Sequence, residues 1–204
     1  MKKLLFIFII ILCGCSKSNT PHKTTESRNA SRKAVPPAQK ISESSVYETE
    51  ETLGEAQTPL LDDGINRVSN INLACSRISG TALNPGEEFS FNASVGRRSY
   101  ENGWLDAPVI INGEKSYGAG GGVCQVSTTL YMAAVNAGFT VTEHHSHSEP
   151  VAYAPSGCDA TVVYGAKDMK FVNSSENPVF LYAWTGDGKV FSKIIKKTLD
   201  NTSS

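Results

Sequence analysis

The sequence lacks the features that mark several common classes of protein. Its five cysteines form no CxxC pair, which argues against a zinc ribbon or a dithiol redox site. The formal net charge is −1, so the chain has no basic excess of the kind that nucleic-acid binding requires. No internal repeat is visible, and no apolar run is long enough to span a bilayer as a helix. The 204 residues instead predict one globular domain with additional segments.

The N-terminus has the pattern of a lipoprotein signal peptide, which we place at residues 1–15. A basic start, Met1-Lys2-Lys3, precedes the apolar segment Leu4–Leu12 and then Cys13-Gly14-Cys15. A cysteine after a small residue at this point resembles a bacterial lipobox, which predicts that Cys15 is lipidated, with palmitate as a marker of the modification. The alternatives are an ordinary secretory signal cut elsewhere and an uncleaved anchor. We therefore expect a lipid anchor in the cell membrane and a domain on its extracytoplasmic face.

The remaining chain divides by composition into a linker, a domain and a tail. Residues 16–59 have few large apolar side chains and many Ser, Thr, Lys, Glu and Pro, so we predict a disordered linker there. Residues 60–195 carry the apolar periodicity of a folded domain, and residues 196–204 form a polar tail.

The periodicity within the domain predicts an α+β fold, with an antiparallel or mixed sheet of short strands packed on a central helix that starts at Cys124. An earlier amphipathic helix runs from Ile65 to a stop at Gly80, and Asn112-Gly113 is a hairpin turn. Eight segments are predicted as strands: 89–91, 109–111, 114–117, 139–143, 151–153, 160–164, 169–172 and the hairpin 179–195.

The most unusual stretch is the glycine-rich run that ends at Cys124. Gly120, Gly121 and Gly122 allow positive φ angles and close backbone approach, and Val123 then begins a helical apolar stripe. The amides of a helix start lack intrahelical partners and the helix dipole favours an anion there. The pattern therefore predicts that Cys124 is held as a stabilised thiolate.

Three sequence blocks, together with His147-Ser148, resemble the VanW family. They are NPGEEFSFN at 84–92, GGGVCQVSTTLY at 120–131 and GCDATV at 157–162, and the resemblance covers roughly residues 65–184. It implies an accessory role linked to a vancomycin-resistance gene cluster, of undefined biochemistry. The family usually has Glu-Arg before its histidine segment, whereas Glu143 is followed here by His144. The guanidinium that the resemblance implies as a carboxylate ligand is therefore missing at this position.

The order of residues around Cys124 predicts thiol acyl-transfer or amide chemistry, with no cofactor. A thiolate nucleophile needs a base and a group that orients the base. His147 is the candidate base on a following strand, Asp159 the first candidate for the orienting group and Asp168 the second. Gln125 is a candidate oxyanion ligand. Outside the membrane, the expected acyl substrates are the peptide stems of peptidoglycan.

We assign substrate binding to a set of side chains and amides around the thiol. These are Gly120, Gly121, Gly122, Ser127, Ser148, Tyr153 and Trp104.

Two other classes of function remain open at this stage. His145 and His147 alternate on a predicted strand face and could bind zinc with Cys124, although no fourth ligand is obvious. The aromatic residues could instead line a groove that binds cell-wall peptide or glycan without turnover.

The thiol state is also open, because a Cys75–Cys158 disulfide would leave Cys124 reactive whereas a Cys124–Cys158 disulfide would block it.

Overall fold

The computed structural model describes residues 49–111 and 114–198, and they form the predicted α+β fold. The signal peptide, Cys15, the first part of the linker, the Asn112-Gly113 turn and residues 199–204 lie outside the described residues.

The largest sheet has four antiparallel strands in the order β1-β9-β8-β2. Its members are β1 (Thr49–Pro59), β2 (Thr81–Leu83), β8 (Val179–Gly186) and β9 (Lys189–Thr198). The predicted hairpin at 179–195 is confirmed as β8 and β9. Val179, Leu181, Val190 and Ile194 are fully buried, so one face of this hairpin supplies much of the core.

Strand β1 lies within the segment predicted as a linker. It pairs with β9 from Thr49 opposite Thr198 to Pro59 opposite Lys189, so the folded domain begins at or before residue 49 and the predicted tail is strand as far as 198. Only Gly54 and Thr58 of β1 are fully buried, and the exposed positions carry Glu and Thr. That composition is typical of a linker, but pairing with β9, with lysines opposite two of the glutamates, and packing against the helix Val123–Asn136 make the segment an edge strand.

Two longer helices pack on this sheet, and one short helix packs against the first of them and against the strand Glu88–Ser90. They are α1 (Ile65–Ile78), α2 (Phe91–Val95) and α3 (Val123–Asn136). The predicted stripe of α1 is buried, and the central helix α3 begins one residue earlier than predicted. Helix α3 packs against β1, β9, α1 and β6. Within the described ranges, no helix has the length and apolar character needed to cross a membrane.

The remaining strands form two small antiparallel sheets. One has the order β3-β7-β6, from β3 (Glu88–Ser90), β6 (Thr140–Glu143) and β7 (Lys170–Val172). The other is the hairpin of β4 (Asp106–Ile111) and β5 (Glu114–Ala119), which leads directly to the glycine run.

The predicted strands at 151–153 and 160–164 are wrong. These segments are irregular, apart from a single bridge between Val163 and Lys167. Their backbone groups are satisfied by side chains and other loops instead of a strand partner, as when the amide of Ala160 donates to Thr128 Oγ1 at 3.0 Å. The predicted strand at 89–91 also stops early, because Ser90 accepts a hydrogen bond from the Ala93 amide and caps α2.

A candidate thiol active site at the start of α3

The glycine run is a crowded turn between β5 and α3. Gly120 and Gly122 have φ angles of 88° and 100°, which side-chain-bearing residues rarely adopt. A Cβ on Gly121 would lie 2.6 Å from the carbonyl oxygen of Pro108 in β4, so no side chain fits there. Each glycine is therefore required either by its φ angle or by the nearness of another segment.

The turn places Cys124 as the second residue of α3, partly buried at the base of a cleft of about 910 Å³. Its Sγ atom lies 3.6 Å from Thr161 Oγ1 and 3.6 Å from the carbonyl oxygen of Val162. The cleft walls come from the glycine run, the β4–β5 hairpin and the irregular segment that includes Tyr153. A substrate entering this cleft would meet the thiol at its floor.

His147 makes hydrogen-bonding contact with the Cys124 thiol and is oriented by Asp159. The residue lies in the irregular segment after β6, so its predicted position on a strand is wrong. Its Nδ1 is 2.6 Å from Asp159 Oδ2, and its backbone amide donates to the same oxygen at 2.7 Å. Because an ionised carboxylate only accepts, Nδ1 carries a proton and Nε2 is the ring atom available to the thiol.

The electrostatics favour a thiolate–imidazolium pair. Burial by itself raises the pKa of Cys124, but hydrogen bonding and charge interaction with His147, helped by the Thr161 hydroxyl, lower that pKa below its ordinary value. Burial opposes the imidazolium of His147, yet the contacts with Cys124 and Asp159 raise its pKa. The pKa of Asp159 is lowered overall, because the hydrogen bonds from His147 outweigh its burial.

The neighbouring histidines hold this arrangement in place. His144 Nε2 donates to the carbonyl oxygen of Asp159 at 2.7 Å, and its ring stacks on Tyr131 with centroids 4.3 Å apart. His145 Nε2 lies 3.1 Å from Glu143 Oε1, and the His145 carbonyl accepts from the Thr161 amide at 2.7 Å. Of the three clustered histidines, only His147 is directed at the thiol.

Several predicted site residues lie away from the cleft. Asp168 accepts from the Ser90 hydroxyl at 2.6 Å and from the Asn92 amide at 2.9 Å, so it stabilises the start of α2. Ser127 and Trp104 are buried in the core, and Ser148 is exposed outside the cleft lining. None of these four positions brings a polar group to Cys124.

Gln125 and Tyr153 line the cleft but have structural contacts. Gln125 is buried, and its Nε2 donates to Thr58 Oγ1 at 3.0 Å and to the Pro59 carbonyl at 2.9 Å. This ties α3 to the end of β1. Tyr153 makes a side-chain hydrogen bond with Thr128, and burial raises its pKa, so its phenol stays neutral.

The ligand set proposed for zinc is not assembled. His145 is engaged by Glu143 and His147 by Asp159, and no group of three potential metal ligands is found in the part of the chain that the structure describes. Neither of the two disulfides considered is formed: Cys75, Cys124 and Cys158 are all thiols. The pKa of Cys75 is raised to about 12 by burial, so Cys124 is much the more acidic of the two.

Three arginines that the sequence patterns did not predict line the cleft: Arg67, Arg97 and Arg98. Arg67 on α1 donates from Nη2 to Gln125 Oε1 at 2.8 Å, and Arg98 lies against Gly120, where a Cβ would be 2.6 Å from its Cγ. Arg67 stands four residues before Ile71 on the buried stripe of α1, and a charge on an apolar stripe was the available signal. Arg98, which lies in a loop, has no comparable signal. Guanidinium groups are thus present at the site despite the missing family arginine after Glu143.

The chain was compared with known families, curated proteins and solved structures. Residues 66–195 match the family model described as "VanW like protein". The chain is 37% identical over 150 residues to the uncharacterized protein YoaR of Bacillus subtilis (strain 168), and this match covers 74% of the chain and 50% of YoaR. It is 28% identical over 134 residues to the vancomycin B-type resistance protein VanW of Enterococcus faecalis (strain ATCC 700802 / V583), covering 63% of the chain and 49% of VanW. The chain therefore spans about half the length of each of these relatives. No solved structure matches the chain significantly.

Proposed function

Because the chain belongs to the VanW family, we propose that it acts on the bacterial cell wall, as an enzyme that transfers acyl groups of peptidoglycan stem peptides through Cys124. The observation that carries this proposal is the Cys124–His147–Asp159 arrangement, whose cysteine and histidine line a cleft. A merely structural cysteine has no use for a histidine base that is itself oriented by a carboxylate.

The first half of the reaction forms a thioester. The Cys124 thiolate attacks the carbonyl carbon of a peptide amide, and negative charge develops on the carbonyl oxygen. The backbone amide of Cys124 lies in the first turn of α3, where helix geometry favours an anion, and it is the donor that we assign to this oxygen. As the C–N bond breaks, His147 Nε2 gives its proton to the leaving amine.

The second half regenerates the thiol. His147, now neutral, removes a proton from water or from the amine of a second peptide, and the oxygen or nitrogen attacks the thioester carbon. The C–S bond breaks and the thiolate–imidazolium pair returns. Water as the acceptor makes the protein a hydrolase, and an amine makes it a transpeptidase. Asp159 keeps the imidazole in the required tautomer through both halves.

Incubation with isolated stem peptides, followed by mass spectrometry, tests this function. We expect product from the wild type, a transient acyl adduct on Cys124, and neither from Cys124→Ala. Thermal unfolding of Cys124→Ala verifies that its fold is intact. Equal turnover by this variant would overturn the proposal, as would the absence of both product and adduct from the wild type with every stem peptide.

A wall-binding role without turnover is the second candidate. The observation in its favour is the exposed aromatic surface on the cleft rim, where Tyr117 is 74% and Tyr164 52% exposed. Sedimentation with purified cell walls distinguishes the two candidates. If the protein only binds, the walls retain the wild type and Cys124→Ala equally and the wall peptides are unchanged. If it is an enzyme, the wild type changes the mass of the wall peptides.

Lipid anchoring through Cys15 places the domain beside this substrate. The proposal is supported by the lipobox-like sequence before Cys15. Cells fed a palmitate analogue should label the wild type and retain it in the membrane fraction. Cys15→Ser should lose the label and be released. Labelling and retention of Cys15→Ser would refute the anchor without affecting the proposed chemistry.

A further inference from the structure

Two of the three arginines that line the cleft, Arg98 and Arg67, stand at either end of the glycine run. A Cβ on Gly120 would lie 2.6 Å from the Cγ of Arg98, and a Cβ on Gly122 would lie 3.0 Å from the Cγ of Arg67. Both guanidinium groups interact electrostatically with Cys124. The loop that delivers the nucleophile is thus bordered by two cations that line the same cleft.

Arg98 is incompletely satisfied within the described residues. Its Nη1 donates to Asn92 Oδ1 at 2.6 Å and to the Gly96 carbonyl at 3.0 Å, and its guanidinium lies 5.5 Å from the centre of the Phe91 ring. Its Nη2 is buried without a hydrogen-bond partner among these residues. Buried polar groups are almost always paired, and a charged one is costly to leave unpaired.

The acceptors that Arg98 does have are neutral. Within the described ranges no carboxylate forms an ion pair with it, and Asp168, the acid that influences it, is held by the start of α2. Arg67 has an acidic partner, because Asp62 Oδ2 lies 3.8 Å from its Nε, and it also donates to Gln125 Oε1. The Asp62 side chain is half exposed, however. An arginine keeps its charge even when burial lowers its pKa, so Arg98 carries a positive charge that is attracted to Cys124 and Asp168 but forms an ion pair with no carboxylate of the described residues.

We propose that Arg98, assisted by Arg67, binds the free C-terminal carboxylate of the substrate, so that the enzyme acts on peptides ending in an ionised carboxylate close to the scissile amide. A carboxylate offers two oxygens to a planar guanidinium fork, and Arg98 and Arg67 both line the cleft in which it would bind. This inference rests on the proposed function and names its substrate class. Stem peptides with a free terminal residue satisfy it, whereas stems cross-linked through that residue do not.

The test compares one stem peptide in two forms, a C-terminal acid and the corresponding amide. Each charge-assisted hydrogen bond that is lost predicts a fall of about 10- to 100-fold in kcat/KM for the amide. Arg98→Gln should remove this preference by raising KM for the acid more than KM for the amide. Arg98→Lys should restore it in part. Lys167→Gln is the matched control, since it removes an exposed positive charge that does not line the cleft and should change the acid-to-amide ratio less than about threefold.

Binding to Cys124→Ala separates failure of this inference from failure of the proposed chemistry. Calorimetric titration of that variant with the acid and the amide measures recognition without turnover. If the wild type turns over both forms equally, the carboxylate site is wrong and the chemistry stands. If neither is turned over but Cys124→Ala binds the acid more tightly, the chemistry is wrong and the site stands. Equal loss of turnover for acid and amide in a folded Arg98→Gln would show that Arg98 supports the thiolate, which overturns the inference.

Discussion

Replacing His147 by Gln should make Cys124 a poorer nucleophile even when no substrate is present. In the wild type, burial by itself raises the pKa of the thiol, and the contacts with His147, Val162 and Thr161, of which that with His147 is the largest, together outweigh it. Glutamine has no positive charge, so the variant loses the largest interaction that lowers the thiol pKa against the effect of burial. We therefore expect the pKa of Cys124 to rise in His147→Gln, above that of the wild type.

The size of the effect follows from the charge that is removed. An opposite charge at about 4–6 Å shifts a pKa by about one to three pH units. Each pH unit makes the thiolate about tenfold less abundant below its pKa, but about threefold more reactive, because nucleophilicity rises with basicity. The two effects leave a net loss of about threefold for each unit. Alkylation of Cys124 at neutral pH should therefore slow by roughly 3- to 50-fold.

Iodoacetamide labelling followed by peptide mass spectrometry measures this rate separately at each cysteine. Cys75 is an internal reference, because it is buried and its pKa is about 12. His145→Gln is the matched control, since it removes a histidine from the same segment that contacts Glu143 and not the thiol. An unchanged pH profile in His147→Gln, or an equal change in His145→Gln, would refute the ion-pair reasoning.

Three further predictions concern the framework of the site. Gly121→Ala should lower the free energy of unfolding by about 1–3 kcal/mol in urea titration, because its Cβ would lie 2.6 Å from a β4 carbonyl oxygen. Gly118→Ala should have a free energy of unfolding within about 1 kcal/mol of the wild type, because the atom nearest to its Cβ would be 3.5 Å away. Equal losses of stability in the two variants would contradict the crowding argument. A chain starting at Leu60, which lacks β1, should melt roughly 10 °C or more below a chain starting at Thr49, and equal midpoints in calorimetry would show that β1 adds nothing. Glu143→Gln should be less stable than the wild type at pH 7, because hydrogen bonding to Lys170 holds the pKa of Glu143 at about 2, below 4.5. That stabilisation is present above pH 4.5 and lost towards pH 2, so a difference in urea stability that persists at pH 2 would contradict it.

The elements that the sequence predicts well are those whose signal is local. The stripe of α1 and the turn between β8 and β9 depend on residues within a few positions of one another, and both are confirmed. Strand β1 could not be found in this way. Its Glu50 and Glu51 pair with Lys197 and Lys196, which lie at the far end of the domain. A polar edge strand becomes visible only through its partner.

The same distinction separates the site residues that were predicted from those that were not. Cys124, with a glycine run before it, carries its own signal, and His147 follows a strand in a histidine-rich segment. From the sequence, Asp159 is the first candidate for the orienting acid and Asp168 the second, and both are also residues typical of turns. Only the folded chain distinguishes them, since one carboxylate meets His147 and the other meets the amide of Asn92. Which acid orients the base is a question of tertiary contact.

The irregular course of residues 160–162 explains why an alternating apolar pattern was misleading there. Alternation predicts a strand in which neighbouring side chains point to opposite faces. The amide of Ala160 is instead taken by Thr128 of α3, and that of Thr161 by the carbonyl of His145. As a result, the hydroxyl of Thr161 and the carbonyl oxygen of Val162 both lie 3.6 Å from the Cys124 sulfur. A regular strand directs its carbonyl groups to neighbouring strands, so it would not present a hydroxyl and the next carbonyl oxygen to the same atom. The departure from regular structure is therefore part of how this segment reaches the thiol.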